Sequence, residues 1–188
     1  MKLYDAEKIL WLAIALYWLV ASFSVKKSIK KQSGWQRMAY TTCLFFAFTL
    51  LFQDYYRIGL LYKPVLPQNV VWKTGGFLFC AGGLLFALFA RIWLGKNWSG
   101  RITIKENHEL IQSGPYCITR NPIYTGFLTA FLGCSMTLGL LKGYLGVFLL
   151  VICLELKISK EEFFMQEVFG EKWKLYRSKV KRLIPGIY

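Results

Sequence analysis

Apolar and polar positions alternate along this chain in long blocks rather than in short periods. Apolar blocks run over about residues 9–25, 38–53, 70–94, 122–141 and 144–157, and polar connections separate them. At about 1.5 Å per helical residue, each block reaches across a hydrocarbon core or nearly so. The fifth block is short, and the pattern predicts that its helix continues past Lys157, where the sequence turns charged. Lys142-Gly143 reads as a tight turn, which makes the last two blocks a helical hairpin. The third block carries Gly75, Gly76, Gly82 and Gly83, with Gly83 and Ala87 as a small-xxx-small pair. Such residues let neighbouring helices approach closely in lipid, although glycine is also simply common in membrane helices. The expected fold class is therefore an all-α integral membrane protein. A single domain over residues 1–188 would hold about five transmembrane helices and a cytoplasmic tail at 158–188.

Charge orients these blocks. Lys26, Lys27, Lys30, Lys31 and Arg37 follow the first block with no acid among them. Arg91, Lys96, Arg101, Lys105 and Arg120 outweigh Glu106 and Glu109 in the connection after the third. The tail from Lys157 onward has eight Lys or Arg against four Glu. Basic connections stay on the cytoplasmic side, so the N-terminus is expected outside and the C-terminus in the cytoplasm. The net charge of +14 on 188 residues does not point to nucleic acid, because the basic residues flank apolar blocks that make up much of a 55% hydrophobic chain. Cys43, Cys80, Cys134 and Cys153 lie singly inside apolar blocks, and Cys117 lies alone in a polar stretch. No paired spacing of a zinc site is present in the sequence, and no metal is expected.

The candidate chemistry lies in His108–Tyr124, His-Glu-Leu-Ile-Gln-Ser-Gly-Pro-Tyr-Cys-Ile-Thr-Arg-Asn-Pro-Ile-Tyr, between two very apolar regions. It holds the one histidine of the chain. Gly114-Pro115 marks a turn, and Pro122 is placed to open the next helix with Asn121 as its N-cap. The free N–H groups of such a helix start suit a ligand carboxylate. A second polar stretch holds Glu161-Glu162, Phe169-Gly170, Trp173, Tyr176 and Arg182-Leu183-Ile184-Pro185. By charge pattern alone, Glu161 and Glu162 read as a solvated helical face.

These two stretches resemble the isoprenylcysteine carboxyl methyltransferase family, multi-spanning membrane enzymes that use S-adenosylmethionine. The resemblance covers about residues 95–185. It rests on His108-x-Leu110-Ile111 with Gly114-Pro115-Tyr116, on Arg120-Asn121-Pro122-Ile123-Tyr124, and on Glu161 nine positions before Gly170. It implies that His108, Glu109, Leu110, Ile111, Tyr116, Asn121, Pro122, Ile123, Tyr124 and Glu161 bind S-adenosyl-L-methionine, with Glu161 on the methionine ammonium and S-adenosylhomocysteine as the product. It implies a cytoplasmic pocket formed by the loop before the fourth helix and the C-terminal segment. Lys157 stands where the family has a substrate-contacting arginine, and Asn121 where it has histidine. The Asn-Pro-x-Tyr form is similar to the phosphatidylethanolamine methyltransferases. The implied partners are the bilayer and a lipophilic acceptor, foremost the carboxylate of a protein C-terminal S-isoprenylcysteine or similar. A phospholipid amine or thiol acceptor is the alternative. A sterol-reductase-like membrane reductase using NADPH is a second enzyme class, and a membrane scaffold or transporter subunit is a third reading.

Overall fold

Apolar blocks of this length satisfy their backbone within a single segment by becoming helices. The computed structural model describes residues 3–24, 28–31, 34–53, 59–98, 103–105 and 109–188. Lys26, Lys27, Asp54, Arg57, Arg101, Glu106 and His108 lie outside them. The helices are α1 (Leu3–Ala21), α2 (Gly34–Phe52), α3 (Val70–Leu94), α4 (Pro122–Leu138), α5 (Leu141–Phe169) and α6 (Glu171–Lys179). Val70–Leu94 has the length and composition to cross a membrane, while Met38–Phe52 and Pro122–Leu138 are shorter apolar helices. α5 runs well past Lys157, as its charged continuation suggested.

The bundle is not purely helical. Strand β1 (Ser28–Lys31) pairs antiparallel with β2 (Thr103–Lys105), tying the connection after α1 to the connection after α3. At the other end, the approach to α3 meets the α4–α5 turn: Val65 N–H donates to Gly139 O at 2.8 Å, and Leu141 N–H donates to Lys63 O at 3.0 Å. The two basic connections thus share one end of the bundle.

α3 and α4 are in backbone contact. Buried Gly76, Cys80, Gly83, Ala87 and Ala90 form one stripe of α3 at helical spacing. A Cβ on Gly83 would lie 2.5 Å from Gly126 O of α4. Gly75 and Gly82 face open space. Trp11, Phe48 and Phe131 then lock α1, α2 and α4 edge to face, with ring centroids 4.8–5.3 Å apart. Large apolar side chains such as Leu12, Leu19, Leu78, Leu85, Phe148 and Leu156 stay exposed around the outside.

The α4–α5 turn differs from expectation. Gly139, left-handed at φ 65°, ends α4, and Lys142-Gly143 already lie in the first turn of α5. Lysine read as a turn residue because a buried ammonium is costly without partners. Here Lys142 Nζ donates to Gln53 O at 2.5 Å and to Tyr62 Oη at 3.2 Å, which permits its burial.

Candidate functional site

The loop before α4 is shaped by residues whose backbone needs are specific. Gly114 has φ 60°, and a side chain there would run into the Trp93 ring. Pro115 then opens a single 3-10 turn, Gly114–Cys117. The Tyr116 ring is buried, its hydroxyl donates to Ala90 O at 3.4 Å, and its carbonyl accepts from Tyr176 Oη at 2.6 Å. Burial raises both phenols, Tyr116 and Tyr176, above their ordinary range, so both remain protonated. Pro122 is the first residue of α4 and Asn121 precedes it, as expected, but Asn121 makes no side-chain cap. Its amide instead donates to Arg182 O at 3.0 Å.

The C-terminal segment packs along this loop. Thr119 and Thr125 hydroxyls donate to Arg182 O and Leu183 O at 3.0 and 2.6 Å, and Arg120 N–H donates to Lys181 O at 2.8 Å. Gly170, at φ 51°, separates α5 from α6 and lets the chain fold back. The stretch past residue 158 is therefore a docked element.

Glu161 and Glu162 lie side by side on α5 but face different surroundings. Glu161 is half-buried and accepts from Tyr124 Oη at 2.9 and 3.1 Å through its two oxygens. Burial raises its carboxyl above the usual range, and the Lys157 ammonium and the Tyr124 hydroxyl oppose that rise. Glu162 is buried between two guanidinium groups: Arg120 Nη2 at 2.9 Å and Arg182 Nη2 at 2.8 Å. Arg182 also reaches Glu155 at 2.9 Å, and Glu162 raises its guanidinium above the ordinary value. Arg120 further donates to Arg177 O and Val180 O, so it clamps the loop, α5 and the tail together.

A cavity of about 150 Å³ lies between these parts. Glu109, Leu110, Ile111, Tyr116, Asn121, Pro122, Ile123, Tyr124 and Glu161, all singled out in the sequence, line it. His108 lies outside the described residues. Sequence reasoning gave no role to Arg120, Trp98 and Met165, which also line it, and placed Glu162 on a solvated face. The signal for Glu162 was available: two arginines in the two motifs require a buried counter-charge once the motifs meet.

Lys157 does not line this cavity. It belongs to a second, mostly apolar cavity of about 440 Å³, walled by α1, α2, α4 and α5 residues including Trp11, Trp18, Phe48 and Phe127. Its ammonium sits 5.1 Å over the Tyr124 ring. Tyr124 lines both cavities. The result is a polar, aromatic chamber lined by Glu109, Glu161 and the arginine-paired Glu162, sharing Tyr124 with an apolar chamber that holds the Lys157 ammonium. For S-adenosylmethionine, the donor set fits: a carboxylate for an ammonium, aromatic and aliphatic walls for an adenine, and the start of α4 for a carboxylate.

Comparison with known proteins gives the following. The phospholipid methyltransferase family model matches residues 71–172. A protein-S-isoprenylcysteine O-methyltransferase of Schizosaccharomyces pombe is 32% identical over 121 residues, 62% of this chain and 51% of that protein. A probable protein-S-isoprenylcysteine O-methyltransferase of Oryza sativa is 26% identical over 174 residues, 91% of this chain and 88% of that protein. The solved structure of a eukaryotic intramembrane Ras methyltransferase, an isoprenylcysteine carboxyl methyltransferase, shares the fold with a TM-score of 0.51 at 21% identity, over 80% of this chain and 53% of that one. This chain spans about half the length of the yeast relative and of the solved structure.

Proposed function

We propose, from the premise that the chain belongs to the phospholipid methyltransferase family, that it is a membrane-embedded, S-adenosylmethionine-dependent methyltransferase acting on a lipophilic carboxylate, S-isoprenylcysteine or a similar acid. The observation that carries this reading is Tyr124, the wall common to a chamber suited to the methyl donor and a chamber suited to a lipid-anchored acceptor. The names of the yeast and rice relatives support the isoprenylcysteine acceptor. The sterol-reductase-like reading finds no support in the family match.

In this account, α1 to α5 cross the bilayer, N-terminus outside and C-terminus in the cytoplasm, as one domain. The exposed apolar side chains around the bundle support that placement. S-adenosylmethionine brings a methyl group already activated on a sulfonium, so a carboxylate acceptor needs no general base. The protein's part is to align and to exclude water. Glu161 holds the cofactor's ammonium. The Tyr116 and Tyr124 rings lie along the chamber, with Leu110 and Ile111 as its apolar wall, Asn121 to Ile123 at its helix-start end, and Glu109 on its lining. His108, outside the described residues, is carried over from the family resemblance alone. Lys157, at the polar end of the apolar chamber, draws an anionic head group towards Tyr124.

A second reading, a phospholipid amine as acceptor, is favoured by the family match and by Asn121 in the Asn-Pro-x-Tyr form. An amine must lose a proton before it attacks, and it gains nothing from a lysine. A methyl-transfer assay with a farnesylated cysteine analogue and, in parallel, a phospholipid amine separates the two. Lys157→Met should leave cofactor binding unchanged and slow transfer to the carboxylate by about 1.5–3 kcal/mol, the worth of one charged hydrogen bond. Lys157→Arg should retain it, because a guanidinium grips a carboxylate with two parallel bonds. Activity on the amine alone, indifferent to residue 157, would reject the carboxylate reading.

A further inference from the structure

About twelve residues down α4 from the chamber, some 18 Å at helical rise, lies a second cluster that the proposed reaction does not use. Glu7 of α1, Cys80 of α3 and Cys134 of α4 come together there, with one ligand-type atom from each lying within 4.8 Å of the others. Glu7, Cys80 and Cys134 are all fully buried, at 0% exposure. The Cys134 thiol donates to Cys80 Sγ at 3.3 Å, and Trp11 Nε1–H donates to Cys134 Sγ at 3.3 Å. Thr137 Oγ1 donates to Glu7 Oε1 at 2.6 Å. Glu7 Oε2 is buried and has no hydrogen-bond partner among the described residues. A buried carboxylate oxygen left unpaired is costly, and an acid in an apolar block is retained only where something meets it.

We propose that Glu7, Cys80 and Cys134 form a buried binding site for a borderline-soft divalent cation of the zinc class. The donor set selects the metal. Two sulfurs and one carboxylate oxygen match zinc, whereas magnesium and calcium require oxygen cages. A zinc–sulfur distance of about 2.3 Å at a tetrahedral angle separates two sulfurs by about 3.8 Å, so the pair need part by only about half an ångström. Binding displaces the two thiol protons to solvent and gives Glu7 Oε2 its partner. Three protein ligands leave one position for water. Thr137 fixes the carboxylate from behind, and the Trp11 N–H stabilises a thiolate at Cys134, the usual work of residues around a metal's own ligands. The ligands come from three helices, so no local spacing in the sequence announces them. The site pins α1 to the α3–α4 pair, and α1 supplies Trp11, Ile14, Ala15 and Trp18 to the wall of the apolar chamber. The inference stands independently of the reaction proposed above.

The full chain, purified in detergent and treated with a mild chelator, is titrated with Co²⁺, which reports thiolate coordination by near-ultraviolet charge-transfer and visible ligand-field absorption. The wild type should saturate at one Co²⁺ per chain with both signatures, and Zn²⁺ should displace it. Cys80→Ser should remove the charge-transfer band. Glu7→Gln should weaken binding by about ten-fold or more, at least what loss of a mere supporting residue costs. Cys43→Ser should behave as wild type. A wild type with no thiolate band at saturating Co²⁺ overturns the proposal, and so does recovery of Cys80 and Cys134 as a disulfide by mass spectrometry. The wild type alone decides, so a variant that fails to fold does not obscure the result.

Discussion

Glu161 and Glu162 differ by one position, and a helix turns about 100° per residue, so one faces Tyr124 and the other faces Arg120 and Arg182. Their substitutions should therefore have opposite signatures. Glu161→Gln removes the charge proposed to meet the cofactor ammonium, at a predicted cost of about 2–5 kcal/mol, or about thirty-fold or more in affinity, with little change in Tm. Glu162→Gln removes the carboxylate that pairs with Arg182 and with Arg120, whose side chain is only 7% exposed, while Arg182 keeps Glu155; it should cost about 3–5 kcal/mol of stability. Thermal melts and cofactor titrations on both variants check this, and a reversed outcome shifts the register by one. The Glu161 carboxyl is raised by burial, and the ammonium binds its ionised form. Affinity should thus rise with pH as this carboxyl ionises, above the range of an ordinary glutamate, in the wild type and stay flat in Glu161→Gln. Charge pattern alone placed both glutamates on a solvated face. Periodicity cannot show that the segment about forty residues upstream brings Arg120 of the loop to one and Tyr124 of α4 to the other. The legible clues were the spacing to Gly170 for Glu161 and the arginines of the two motifs for Glu162.

At the scale of elements, the helix blocks were legible because lipid-like composition forces helix. Their pairing was not. The Gly83–Ala87 pair was visible as a contact and does meet α4, but only the fold adds Gly76 to it and shows that Gly75 and Gly82 face open space. Gly126→Ala sets a Cβ 2.5 Å from Gly83 O and 2.7 Å from Ala87 N, backbone on both, so the two helices must separate. The expected loss is about 1–3 kcal/mol in a thermal melt. Gly82→Ala, with nothing within 4 Å, should be neutral or slightly stabilising. The α4–α5 turn was misplaced for a related reason: the partners that make Lys142 tolerable inside, Gln53 and Tyr62, belong to a distant connection.

For the whole molecule, charge bias along the sequence and pairing in space agree. The two basic connections meet in the β1–β2 ribbon, and the less basic connection meets the α4–α5 turn at the other end. Reporter fusions after α1, after α3 and at the C-terminus should all report the cytoplasm, and an external C-terminus would dismantle the proposed pocket. The site was legible as two motifs, and what the fold adds is their meeting around Tyr124, with Lys157 on the side of the apolar cavity. The central claim is that the chamber holding Glu161 binds the methyl donor. Calorimetric titration of the purified chain with S-adenosylhomocysteine, with NADPH in a parallel cell, tests it most directly. The account predicts one-to-one binding of S-adenosylhomocysteine that Glu161→Gln weakens about thirty-fold or more, and no heat from NADPH. Binding of NADPH, or S-adenosylhomocysteine binding untouched by Glu161→Gln, would contradict it.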